Sequence, residues 1–273
     1  MALKADYPLS LLLEIAGLAR STFFYHQARP DRPDPHADLK MAIAAIFTDV
    51  HGRYGHRRIH TRLRITGWRV AKKTVLHLMR QLGLSCPVRR RRPYRSYLGS
   101  VGTVAPNRLN RAFAATAPNQ KWVTDVTEFR VHDEKVYLAP IMDLFDRQII
   151  AYTVGLSATT ALTNRALQDA LATLPDGQAP LVHSDQGFQY QHASWQSLLA
   201  AAGAIPSMSR KGTCLDNAVM ENFFGHLKTE LFHHASFADA QALMTAIDTY
   251  IAWYNRERIS TTRKGLSPVQ PSL

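Results

Sequence analysis

Near Pro118 the apolar residues of this chain change their period, and that change confines the fold to a helical front joined to a mixed α/β body. Downstream, the runs Trp122–Val131, Val136–Leu144 and Ile149–Val154 read as strands. A helix follows over Ala161–Leu174, then a fourth strand over Leu181–Ser184, a helix over His192–Ala202 and a short strand over Ala204–Met208. Two helices close the chain, Asn217–Leu231 and Ala238–Tyr254. Periodicity by itself gives mixed α and β, with no topology.

Three carboxylates stand out against this pattern. Asp125 lies at the centre of the first apolar run, where an unpaired charge is costly unless it is liganded. Asp185 ends the apolar Leu181-Val182 run and precedes Gln186-Gly187, which places it at a strand tip that turns into a loop. Glu221 lies in a helix whose Met220, Phe223, Leu227 and Leu231 form one apolar stripe. Asn217, Glu221, Gly225 and Lys228 share the other face, so Glu221 is free to look toward Asp185. Two divalent ions about 4 Å apart between such carboxylates can activate a nucleophilic oxygen and stabilise the leaving oxygen of a phosphodiester. Simpler duties compete: an ion pair of Asp125 with Lys121, a loop cap at Asp185, an exposed pair of Glu221 with Lys228. Asp143, Asp146 and Glu128 are nearby acids, so composition does not force the choice of three. Glu128 points opposite to Asp125, Asp143 reads as a turn residue and Asp216 as the cap of the Glu221 helix. His183 shares the strand face of Asp185 and reads either as a site neighbour or as a packed core histidine.

The segments TDVTEF around Asp125, HSDQG around Asp185 and DNAVMENFFGHLKTE around Glu221, with 35 residues between the last two acids, resemble the OrfB-type catalytic subunit of bacterial insertion-sequence transposases. That family is related to retroviral integrases. The resemblance spans nearly the whole chain. It implies an RNase H-like mixed-sheet catalytic domain preceded by small all-α helix-turn-helix-like modules. It also implies Asp125, Asp185 and Glu221 as the catalytic, metal-holding residues of a DDE enzyme. The cofactor would be two Mg2+ ions, with Mn2+ able to substitute. Water would release a 3′ hydroxyl at the element end, and that hydroxyl would attack a second phosphodiester. Further implications are a homo-oligomer on double-stranded DNA at element ends and target, and optionally a small DNA-binding partner encoded upstream. Lys228, seven residues after Glu221, fits a phosphate contact. Near the end, WYNRERISTTRKGLSPVQ matches the family in YN-R and LSP but carries Ser260-Thr261-Thr262 where a His-Ser-like pair is usual. A structure-selective nuclease and a non-catalytic DNA-binding repressor are the rival readings.

Charge points the same way. The net charge is +12, yet residues 50–124 hold 17 Lys or Arg and no acid, while the remainder has 33 − 17 = 16 basic against 21 acidic residues. A polyanion is therefore expected on the first half. Helices predicted over His56–Ile65 and Ala71–Leu82 share a core of Ile59, Leu63, Val75, Leu78 and Met79. This packing puts Arg57, Arg58, Arg62, Arg69, Lys72 and Lys73 on exposed surfaces able to meet DNA. Arg89, Arg90, Arg91 and Arg92, among Pro93, Tyr94 and Tyr97, read as a DNA-tracking linker, and Lys211 belongs to a basic loop ahead of the Glu221 helix. Upstream, SLLLEIAGLARSTFFYH gives two short helices about Gly17, the second capped by Ser21. The expected division is 1–30, a helix-turn-helix-like segment; 36–85, a basic helical DNA-binding module; 86–117, a basic linker; and 118–273, the catalytic domain. Cys86 and Cys214 have no metal-ligand or disulfide spacing. No apolar run reaches 18 residues and no signal-peptide pattern opens the chain, so the expected place is the bacterial cytoplasm, at the nucleoid.

Overall fold

The structure, a computed structural model, describes residues 6–28, 33–87, 104–210, 214–233 and 235–271. Arg89 to Arg92 and Lys211 lie outside them. The front holds α1 (Leu9–Ile15), α2 (Arg20–Gln27), α3 (Ala37–Asp49), α4 (His56–Ile65) and α5 (Lys72–Gln81). Ser21 does not cap α2: Ala19 stands at that position and Ser21 falls inside the first turn. The predicted core of α4 and α5 is buried as a unit with Leu39 and Ile43 of α3. Arg57, Arg62, Arg69, Lys72 and Lys73 are exposed. Arg58 is the exception, for reasons given below.

The body is one six-stranded sheet of β1 (Lys121–Thr124), β2 (Thr127–Val131), β3 (Glu134–Asp143), β4 (Ile149–Gly155), β5 (Leu181–Ser184) and β6 (Ile205–Met208). β3 pairs antiparallel with β1, β2 and β4, while β1, β5 and β6 run parallel. The run expected as one strand over Trp122–Val131 is two. Thr124 lies opposite Ile141 and Thr127 opposite Leu138, so both halves keep one register against β3 and only Asp125-Val126 leave the ladder. The same count puts Pro140 across from Asp125, and a proline has no N–H to offer a neighbour. Asp125 thus stands at a break in the sheet and not in mid-strand.

Strand alternation sends Val123, Leu138 and Met142 to one face and Trp122, Ala139 and Ile141 to the other. α6 (Thr160–Leu171), α7 (Phe188–Gln191) and α8 (Ala193–Ala201) cover the Trp122 face. α9 (Ala218–Leu227) and α10 (Ala240–Arg256) cover the Val123 face. The predicted stripe Met220, Phe223, Leu227 and Leu231 is buried there. The helix expected to run unbroken to Leu231 instead leaves α geometry at Lys228, where a π-helical turn spans Lys228–Phe232.

Candidate catalytic site

β1 and β5 pair in parallel with Val123 beside His183. Two residues further along each strand, Asp125 and Asp185 leave the sheet side by side, neighbouring strands being about 4.8 Å apart. Both carboxylates are held by local backbone. Asp125 Oδ1 accepts the Val126 N–H at 2.7 Å, and Asp185 Oδ1 accepts the Gly187 N–H at 2.8 Å. Lys121 is not the partner of Asp125, because its ammonium donates to the carbonyls of Ala112 and Ala114 at 2.8 and 2.7 Å.

Glu221 reaches this pair through its helix. Asn217, at the head of α9, donates from Nδ2 to the Thr124 carbonyl at 3.2 Å, which ties the helix to the residue before Asp125. Asp216, expected as the cap, makes no cap hydrogen bond and is fully enclosed. It accepts from Asn107 (2.9 Å), Arg111 (2.8 Å) and the Arg210 side chain (3.0 Å). These bonds, Arg210 first, hold its carboxyl far below the usual range. Residues 107–111, the end of β6 and the start of α9 are therefore fastened to one buried charge.

The acids affect one another. Burial, then the charge of Asp185, with a smaller contribution from Glu221, pushes Asp125 well above the carboxylate range, and Lys228 opposes the shift. Burial likewise raises Asp185. Lys228 opens the π turn, and its ammonium lies 5.2 Å from the centre of the Phe129 ring, with its charge acting on Asp125. π turns within α-helices often mark functional sites. Among the described residues no three acids, histidines or cysteines are posed closely enough to hold an ion. Each aspartate instead keeps one oxygen on a backbone donor, Val126 N–H for Asp125 and Gly187 N–H for Asp185.

Several neighbours were not legible as such. Tyr190 is buried, with its hydroxyl 3.3 Å from Thr124 Oγ1. Burial, then the charges of Asp125 and Asp185, raises it well above the phenol range, so it stays a neutral phenol beside them. DQGFQY holds two aromatics, Phe188 and Tyr190, and nothing local tells the exposed one from the buried one. His183 proves a packed core residue: Ser207 Oγ lies 2.8 Å from Nδ1 and Ser209 Oγ 3.1 Å from Nε2. Ser207 Oγ already accepts the Arg108 and Leu109 N–H groups, so its own proton goes to Nδ1, and Nε2–H then donates to Ser209. Burial lowers His183 to about 4, consistent with this neutral tautomer. Asp143, read as a turn residue, is the last residue of β3, paired with Trp122, and its carboxylate accepts Asn119 and Phe145 N–H at 2.6 and 2.8 Å. Glu128 is exposed and paired with Lys135.

No local pattern points to Glu230. It sits in the π turn, its side chain 7% exposed, and accepts from Arg258 at 2.8 and 2.6 Å, Tyr250 at 2.8 Å and Arg58 at 3.1 Å. Arg58, expected on the open surface, is drawn inward by that carboxylate and by the Tyr54 ring, 5.5 Å away.

Residues 115–214 match the family described as "Integrase core domain", residues 221–270 a second family of the same description, and residues 35–92 "HTH-like domain". The chain is 44% identical to the transposase InsK assigned to insertion element IS150 of Escherichia coli K12, over 98% of this chain and 94% of that protein. The chain belongs to the insertion-sequence transposases. A second relative, the transposase assigned to IS1353 of Shigella flexneri, is 43% identical over 98% of this chain but only 53% of its own length. A simian T-cell lymphotropic virus intasome overlaps with TM-score 0.49 and 18% identity, over 85% of this chain and 76% of that one. This transposase therefore has a mixed-sheet integrase core behind an HTH-like helical front, and none of its described helices is long and apolar enough to cross a membrane.

Proposed function

We propose that this transposase cuts DNA at the ends of an insertion sequence and transfers the freed strands at Asp125, Asp185 and Glu221. The parallel register that sets Asp125 beside Asp185 carries this reading. The donor set fits a hard divalent cation: three carboxylates, two of them at adjoining strand ends, with the charges of Asp185 and Glu221 both raising Asp125, are a site that a cation would relieve. Magnesium, as two ions with manganese as a substitute, would neutralise the attacking and leaving oxygens of the phosphodiester. Water would first break the bond that frees a 3′ hydroxyl, and that hydroxyl would then displace a 3′ oxygen in a second strand.

The chain's own residues bind and orient. Arg57, Arg62, Arg69, Lys72 and Lys73 present exposed charge for the duplex. Lys228, on the acid side of its helix, holds a phosphate near the scissile bond. Arg89 to Arg92 and Lys211 would extend the same track. Arg58, committed to Glu230, is released from that role. The functional division is 1–30, 36–85, 86–117 and 118–273, acting in the bacterial cytoplasm as a homo-oligomer on paired ends.

The test is cleavage and joining of element-end DNA in magnesium. Asp125→Asn, Asp185→Asn and Glu221→Gln should each lower activity by at least about 10³-fold, as loss of a principal electrostatic group does, while DNA binding persists. Full activity in any one variant removes that residue from the site.

A further inference from the structure

On the face of α9 next to Glu221 lies a cleft of about 470 Å³, closed by α4, the β3–β4 turn, the end of α10 and the terminal segment. Asn222, in its lining, follows Glu221 by one residue and so stands about 100° around the helix from it. One wall is apolar, formed by Phe113, Met142, Val219 and Phe223. The lining also carries donors: Arg58, Arg147 and the hydroxyls of Ser260 to Thr262. Arg147 is built in at a cost. Its backbone takes φ 69°, its Nη2 donates to the Phe113 carbonyl at 3.2 Å, and its enclosed Nη1 makes no hydrogen bond among the described residues. Arg58, Arg147 and Arg258 outnumber Asp146 and the Glu230 behind them, so the cleft carries excess positive charge.

We propose that this cleft takes one unpaired nucleotide of a DNA strand, its phosphate on Arg147 and its base against the apolar wall. A paired base cannot leave the stack for such a pocket without being extruded, so the ligand is a nucleotide freed from its partner. The assignment rests on the DNA-processing reading above, and adds that the strand crossing α9 is locally opened beside the acids.

Fluorescence anisotropy of the full chain decides it, comparing a blunt duplex with the same duplex carrying a three-nucleotide extension, one 3′ and one 5′. At least one extension should bind about tenfold more tightly, the size of one charge-assisted contact. Arg147→Gln should remove that preference and leave blunt-duplex affinity unchanged. Thr261→Glu, an exposed change at the cleft that breaks no described hydrogen bond, should do the same and guards against a folding defect in the first variant. Equal affinity for all three duplexes, or a preference that survives both variants, overturns the proposal. Asp125→Asn keeps the two readings apart: it should abolish cleavage and retain the preference for the extension. Cleavage lost with no such preference sinks the cleft alone, and the preference retained in an Asp125→Asn protein that still cuts sinks the catalytic assignment alone.

Discussion

Gly187 is where one methyl group would most disturb the site. A Cβ there would stand 2.9 Å from Asp185 Oδ1 and 3.1 Å from Gln189 Oε1, so the carboxylate would have to swing off the N–H that aims it. Gly187→Ala should fold with a loss of about 1–3 kcal/mol, the usual cost of overpacking, and lose strand cleavage by far more than that stability change explains. Thermal melting and cleavage on the same preparation check it. Asp125 makes the complementary point. Its folded pKa is raised, so the stability linked to its proton is present at low pH and lost as pH rises through that elevated value. Without divalent ions, Asp125→Asn should therefore raise Tm at neutral and alkaline pH, by roughly 2–4 °C for each kcal/mol of repulsion removed, and change little in acid. A lower Tm for Asp125→Asn at pH 8 would contradict the repulsion.

At the scale of elements, α9 is placed by its ends. Asn217 ties its head to β1, and Glu230 ties the π turn after it to Arg58 on α4 and Arg258 just beyond α10. Burial raises Glu230, but hydrogen bonds from Arg258 and the charges of Arg258 and Arg58 win and bring it from 4.5 to about 2. A depressed carboxylate stabilises the fold above its unfolded pKa and loses that as pH falls. About 3 kcal/mol should therefore disappear between pH 4.5 and 2, visible as an acid limb in chemical denaturation that Glu230→Gln removes. At neutral pH Glu230→Gln leaves two guanidiniums partly uncompensated, and a cost of about 3–5 kcal/mol is expected. If that variant denatured at the wild-type midpoint, the carboxylate would not be what locks these elements together.

At the scale of the molecule, front and body share a core. Tyr54, 1% exposed, accepts the Ile259 N–H at 2.7 Å on its hydroxyl, and Ile259 closes the cluster of α3, α4 and α5. Arg53 lies 4.7 Å from the Trp253 ring and 5.6 Å from that of Tyr250. Residues 104–117, expected within the basic linker 86–117, lie along the body: Leu109 is buried in its core. A chain ending at residue 257 should thus loosen the helical front as well as the terminal segment. Amide exchange in α4 should quicken by about 10-fold or more, one buried side chain being worth about 1.5–3 kcal/mol. Unchanged exchange would show that the front is stable alone. Duplex binding should weaken steeply with salt, as release of counterions from several phosphates requires.

Local chemistry alone determined the period change near Pro118, the stripe of α9, the core shared by α4 and α5, and the acid-free basic front, because these depend on spacing along the chain. Asp125, Asp185 and Glu221 were marked by the motifs that resemble the transposase family, while local chemistry left the neighbouring acids Glu128, Asp143 and Asp146 in contention. What it could not decide depends on partners distant in sequence. Only pairing with β3 sets Pro140 across from Asp125 and breaks the strand there, and only the parallel register of β1 and β5 puts the two aspartates together. Asp216 and Arg58 read locally as a cap and a surface cation, and they became an anchor and a lock because Arg210, Arg111 and Glu230 reach them across the fold. An ionised group buried in a protein takes whichever opposite charge the tertiary structure brings to it, and sequence position does not record that choice.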